Sequence, residues 1–221
     1  MRSGPSSISP EGMSLERLRP RVEECTLCPL GRSRKHAVFG DGDPQAEVMF
    51  IGEGPGEAED NSGVPFVGPA GKKLDEVFAS VGISRSDVFI TNVVKCRPPN
   101  NRVPAKAEME ACFPYLEAQI ALVNPSLIVT LGNVPTQWLL EGVPGITKAR
   151  GRFYDWRGGI QVFPMFHPSY LLRNPSRAKG SPKYLAWQDV QQIRRWIDGR
   201  CGGALEEAAS SSGHRNGASA G

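Results

Sequence analysis

Val48-Met49-Phe50-Ile51-Gly52-Glu53-Gly54-Pro55-Gly56-Glu57-Ala58-Glu59-Asp60 begins as an unbroken apolar run and turns, at Gly52, into a loop of glycines and carboxylates. A run that is apolar at every position, rather than at alternate ones, predicts a strand buried on both faces of a sheet. Val88-Phe89-Ile90-Thr91-Asn92, Leu127-Ile128-Val129-Thr130-Leu131 and Val162-Phe163-Pro164-Met165-Phe166 read the same way. Helical patterns fall between them at about 70–81, 104–123, 134–140 and 184–198, with Pro104 suited to a helix start. The order is βαβα. The expected fold class is therefore α/β, a three-layer α/β/α sandwich with a central four-stranded parallel sheet and right-handed crossovers.

Ligands of such sheets bind outside the carboxyl ends of the strands. The chemistry is therefore expected at Gly52 to Gly56, Asn92, Gly132-Asn133 and His167-Pro168-Ser169, which follow or close the four runs. The first loop is not a dinucleotide fingerprint. It lacks the G-x-G-x-x-G spacing, and Glu53, Glu57, Glu59 and Asp60 crowd the place where a phosphate would approach. Such a loop is better suited to bringing backbone N–H groups and a carboxylate to a neutral ring or an electron-poor carbon.

The 221 residues carry 26 Lys and Arg against 23 Asp and Glu, and the net charge of +3 is too small to declare a polyanionic partner. Its distribution says more. Arg173, Arg177, Lys179, Lys183, Arg194 and Arg195 face only Asp189 between His167 and Arg195, which fits a phosphate-facing surface or a solvated helix face. Residues 1–13 and 201–221 are small and polar and are expected to be disordered, leaving 14–200 as one domain. No apolar run approaches the roughly 18 to 20 residues that cross a bilayer. The start has no apolar segment of the secretory kind, so a reducing, cytoplasmic location without a membrane partner is expected.

Five cysteines in such a chain point to metal or catalysis before disulfides. Cys25-x-x-Cys28 is followed after 67 residues by Cys96 and after 15 more by Cys112. Four thiolates at these positions suit a tetrahedral zinc or a [4Fe–4S] cluster, and spacing alone leaves open a lone reduced pair with Cys96 and Cys112 as small core residues. Cys201 stands apart in the tail.

Taken together, Gly52-Glu53-Gly54-Pro55-Gly56-Glu57-Ala58-Glu59-Asp60, Gly63-Val64-Pro65-Phe66-Val67-Gly68, Thr91-Asn92-Val93-Val94-Lys95-Cys96-Arg97-Pro98-Pro99 and His167-Pro168-Ser169-Tyr170-Leu171-Leu172-Arg173-Asn174-Pro175 resemble the uracil-DNA glycosylase superfamily. The four cysteines make the chain similar to its iron–sulfur family 4, and the resemblance covers about residues 14 to 198. It implies that Cys25, Cys28, Cys96 and Cys112 hold a [4Fe–4S] cluster. It also implies a uracil pocket of the Gly54 backbone, Phe66 stacking on the base, Asn92 reading N3–H and O4, and His167 hydrogen-bonding O2. Glu59 falls where relatives place a group near C5, which excludes the thymine methyl. Ser169, Leu172 and Arg173 belong to the segment that would contact DNA and fill the gap left by a flipped nucleotide.

The implied activity is monofunctional hydrolysis of the uracil N-glycosidic bond in single- or double-stranded DNA, by a monomer associated with a prokaryotic nucleoid, as the first step of base excision repair. His167 would stabilise the departing base and Glu53, or else Glu59, would position the water, since the water-activating Asp of family 1 aligns with Gly54. A covalently trapping relative carries a basic insert with a His after the strand of Asn92. Lys95 to Arg102 has neither, so turnover is expected. The rivals of a different class are an iron–sulfur electron-transfer or sensor protein and a non-catalytic, zinc-containing DNA-binding module.

Overall fold

A computed structural model of the chain describes the backbone of residues 12–212 and the side chains of residues 12–200. Residues 1–11 and 213–221, which belong to the stretches expected to be disordered, lie outside the described residues.

The strands are β1 (Asp41–Gly42), β2 (Val48–Gly52), β3 (Phe89–Asn92), β4 (Leu127–Leu131), β5 (Tyr154–Asp155) and β6 (Gln161–Met165). They form one sheet in the order β1-β3-β2-β4-β6-β5. The four inner strands are parallel, as expected. β1 and β5 add antiparallel edges of two residues each, too short to leave an apolar run in the sequence.

Nine α-helices lie among the described residues: α1 (Leu15–Glu23), α2 (Leu30–Ser33), α3 (Glu57–Ser62), α4 (Pro69–Ala79), α5 (Lys106–Val123), α6 (Asn133–Leu139), α7 (Ile146–Ala149), α8 (Pro168–Arg173) and α9 (Pro182–Ser212). α9 continues through 201–212, a stretch expected to lack structure. Ala204-Leu205-Glu206-Glu207-Ala208-Ala209 is rich in strong helix formers, which favour continuation of the helix.

Successive residues of a strand point to opposite faces, and β2 divides its side chains accordingly. Met49 and Ile51 join a core with Leu18 of α1 and Leu116 of α5, whereas Val48 and Phe50 join one with Leu74 of α4, Leu171 of α8 and Ile193 of α9. Phe50 and Phe78 meet edge to face at 4.7 Å. All five residues of β2 are buried, which accounts for the continuous apolar run. The register then sets Gly52 opposite Asn92 and Leu131 opposite Met165. The strand ends where chemistry was expected are thus neighbours along one edge.

Candidate active site

Asn92 ends β3, and its side chain is buried. Its Oδ1 has no hydrogen-bond partner among the described residues. A buried polar atom left unpaired costs about 1–3 kcal/mol, so a partner supplied by a ligand is the natural account of it. Gly52 is the neighbour that makes room. A Cβ there would lie 2.4 Å from Asn92 Oδ1 and 2.5 Å from Cζ of Phe66, closer than real side-chain atoms approach.

Phe66 has φ of +53°, a left-handed conformation that few bulky residues adopt. The surrounding loop holds it there from both sides. One oxygen of Glu59 accepts the N–H groups of Val67 (2.9 Å) and Gly68 (2.8 Å), and the other accepts that of Gly56 (3.1 Å). From the far side Arg85 donates to the carbonyls of Pro65 and Phe66 while pairing with Asp75 at 2.7 Å. Gly71 completes the seat, since a Cβ there would fall 1.7 Å from the Phe66 carbonyl oxygen. Arg85 and Gly71 escaped the sequence reading. Nothing local marks Arg85, which reaches back 19 residues to Phe66.

His167 follows β6 and caps the N-terminus of α8. The Phe66 and His167 rings lie 5.9 Å apart between centroids, at 37°. The backbone N–H of Ser169 donates to His167 Nδ1 at 3.1 Å, and Ser169 Oγ lies 2.7 Å from the same nitrogen. Burial, reinforced by the positive charge of Arg173 and opposed by Glu59, lowers the His167 pKa to about 4. The ring is therefore neutral at physiological pH. A neutral imidazole carries one proton, and an Nδ1 that accepts a backbone N–H leaves that proton on Nε2. The pocket accordingly presents a fixed N–H donor, a point the sequence could not decide.

Glu53 and Gly54 follow β2. Glu53 is partly buried, has no hydrogen bond or ion pair for its carboxylate among the described residues, and burial raises its pKa. On α8, Leu171 is buried, while Leu172 (41% exposed) and Arg173 face outward and Ser169 is spent on His167.

The four cysteines line one cavity together with Arg34, Lys95 and Tyr115. The connection between α1 and α2 brings Cys25 and Cys28, the turn after β3 brings Cys96, and α5 brings Cys112. Arg34 Nη1 donates to Cys96 Sγ at 3.1 Å and to the Cys25 carbonyl at 2.8 Å, and the Lys95 amide donates to Cys112 Sγ at 3.3 Å. The Lys95 side chain is buried, and its Nζ donates to Thr91 Oγ1 and to the Asn92 carbonyl, both at 2.7 Å. No carboxylate among the described residues pairs with it. Burial lowers its pKa to about 7 and raises that of Cys112 to about 12. Arg34 and Lys95 thus bring two basic groups to a cavity that has no carboxylate among its lining residues. Four thiolates around an iron–sulfur cubane carry a net double negative charge, which balances Lys95 and Arg34. Cys25, Cys28, Cys96 and Cys112 are the residues of this cavity that could offer thiolates to a metal centre.

A buried amide and a fixed N–H at the carboxyl end of one sheet, with an aromatic ring from a neighbouring loop, suit the face and edge of a flat heterocycle with several donors and acceptors, the class of ligand that nucleobase-binding α/β proteins take. Sequence comparison narrows the class: the superfamily model described as "Uracil DNA glycosylase superfamily" matches residues 39–191, and the chain belongs to that superfamily. A type-4 uracil-DNA glycosylase of Thermotoga maritima is 46% identical over 184 residues, covering 83% of this chain and 94% of that protein. One from Sulfurisphaera tokodaii is 48% identical over 189 residues, covering 82% and 84%. A type-5 enzyme of Pyrobaculum aerophilum is more distant, at 30% over 174 residues, covering 69% and 76%.

Proposed function

We propose that this chain is a type-4 uracil-DNA glycosylase. It takes a uracil nucleotide everted from DNA, hydrolyses the bond between N1 of the base and C1′ of the sugar, and leaves an abasic site for base excision repair. The observation that carries this reading is the buried, unpartnered Oδ1 of Asn92 at the end of β3. Uracil N3–H pairs with that oxygen while the amide nitrogen donates to O4, and cytosine, which reverses this pattern, leaves both groups unpaired. Phe66 supplies the stacking face and the Gly54 backbone one wall.

Breaking the glycosidic bond places negative charge on the base and positive charge on the sugar. His167 Nε2–H donates to uracil O2 as that charge grows, and Ser169 holds the ring from behind. Glu53 orients the water, whose oxygen joins C1′ while its proton passes to the carboxylate, and it offsets the positive sugar. Glu59, the second carboxylate expected near the water and near C5, spends both oxygens on three backbone N–H groups. It acts as a positioning residue that shapes the loop around Phe66. Leu172 and Arg173 on α8 face the DNA, and Ser169 serves through His167.

The assay is an alkali-sensitive nick at a single uracil in a synthetic duplex. Wild type cuts at uracil and ignores cytosine. Asn92→Asp cuts uracil more slowly and discriminates less against cytosine; wild-type rates on both would remove Asn92 from the pocket.

Cys25, Cys28, Cys96 and Cys112 hold a [4Fe–4S] cluster in this reading, and the cluster contributes structure rather than electrons, because hydrolysis transfers none. It ties the N-terminal helices to the turn that follows Asn92. Purified protein then shows broad visible absorption with iron and sulfide in equal amounts, both lost in Cys112→Ser; colourless protein containing zinc would refute the cluster. Residues 14–200 constitute the working unit, acting as a cytoplasmic, nucleoid-associated monomer. No helix among the described residues is long and apolar enough to cross a membrane.

A further inference from the structure

A second polar groove opens between α9 and the segment Arg150 to Arg152 that precedes β5. Arg152 and Arg195 contribute exposed guanidinium groups, Trp187 an indole that is 45% exposed, and Gln188, Gln191 and Gln192 their amides. No Asp or Glu lines it. Asp189, between Gln188 and Gln191 on α9, is buried and occupied by a two-pronged pair with Arg150, whose Nε donates at 2.8 Å. That pair fixes the floor of the groove and leaves the other two arginines without any counter-charge. Neither Arg152 nor Arg195 makes a hydrogen bond or ion pair among the described residues. Arg194, beside Arg195 in sequence, by contrast pairs with Asp198.

The groove lies at the same end of the sheet as the base pocket. The Gly151 amide donates to Pro164 near the carboxyl end of β6, and Arg150 stacks over the ring of Phe166, the residue before His167, at 5.3 Å. From Trp187 to Arg195 the groove follows α9 for about 12 Å, nearly two phosphate spacings of a nucleic-acid strand. Two unpaired guanidiniums among neutral amide donors match phosphodiester oxygens, which accept and never donate.

We propose that this groove binds backbone phosphates of DNA flanking the target nucleotide, beyond the reach of α8. The inference rests on the glycosylase reading for the identity of the polyanion. The test measures binding of the full chain to a long duplex and to a short one that ends just past the target site, across a range of salt. Both duplexes carry a non-hydrolysable uracil nucleotide. In Arg152→Gln/Arg195→Gln the slope of log affinity against log salt on the long duplex falls by about 0.9 for each arginine, and affinity drops about tenfold at roughly 0.1 M salt. The short duplex binds both proteins alike. Arg157→Gln, which removes an exposed arginine paired with Glu117 outside the groove, leaves the slope at its wild-type value.

An unchanged slope in the double variant on long DNA would overturn the proposal. So would an equal loss on the short duplex, because the contacts would then lie at the target site itself. Inorganic phosphate that binds wild type but not the double variant, with no change in the DNA slope, would assign the groove to a small anion instead. Wild-type excision on an ordinary uracil duplex is scored separately: its failure defeats the glycosylase reading, whereas an unchanged salt slope defeats only the groove.

Discussion

His167→Ala is expected to lower the single-turnover excision rate by about 10²–10³-fold while DNA binding persists, the usual effect of removing one preorganised donor to a developing anion. A rate within a few-fold of wild type would end the leaving-group role. The pH profile provides a second, independent readout. Burial favours the neutral imidazole and lowers its pKa to about 4, so His167 causes no change in rate through the region near 6.5 where free histidine titrates. Glu53 behaves oppositely. Burial favours its protonated form and raises its pKa above 4.5, and the working form is the carboxylate. The rate therefore climbs with pH through that raised value, and Glu53→Gln abolishes the acid limb along with most of the activity. His167 also affects folding: the unfolded chain takes up a proton that the folded chain refuses, so stability falls as pH drops from about 6.5 towards 4.

The second large effect is expected from a single methyl group. In Gly52→Ala the new Cβ would lie 2.4 Å from Asn92 Oδ1 and 2.5 Å from Phe66 Cζ, so both pocket side chains must move. Displacing catalytic geometry by about 1 Å lowers rates by about a hundredfold, and here base reading and base stacking shift together. Excision should fall by that factor or more, with visible absorption and secondary structure retained. Activity near wild type would show that the pocket is looser than the close approach implies.

The four inner strands were legible because each is buried on both faces and so is written as an unbroken apolar run. The rule that ligands sit at carboxyl ends then led to Gly54, Asn92 and His167. What escaped depends on contacts between residues distant in sequence. Phe66 was visible as an aromatic residue in a glycine-rich loop, but its left-handed backbone is held by Arg85 and by the empty space at Gly71. Glu59 was visible as a carboxylate in the right loop, yet only coordinates reveal that its oxygens are already taken. Lys95 gave no sign that it would be buried, since a lysine between Val94 and Cys96 looks like any surface charge. The edges β1 and β5 are too short for any pattern, and Arg152 could join Arg195 only once the fold had brought the segment before β5 beside α9.

His167 caps α8, and in the proposed function it is also the donor to the base. Because one residue does both, no flexible linker separates the point that grips a base from the outward-facing Leu172 and Arg173. A rigid rod of six residues, about 9 Å long, sets that separation. In the proposed glycosylase that rod would act as a ruler for eversion: a nucleotide swung out too little would leave its end short of the strand, and one swung out fully would bring both ends into register at once.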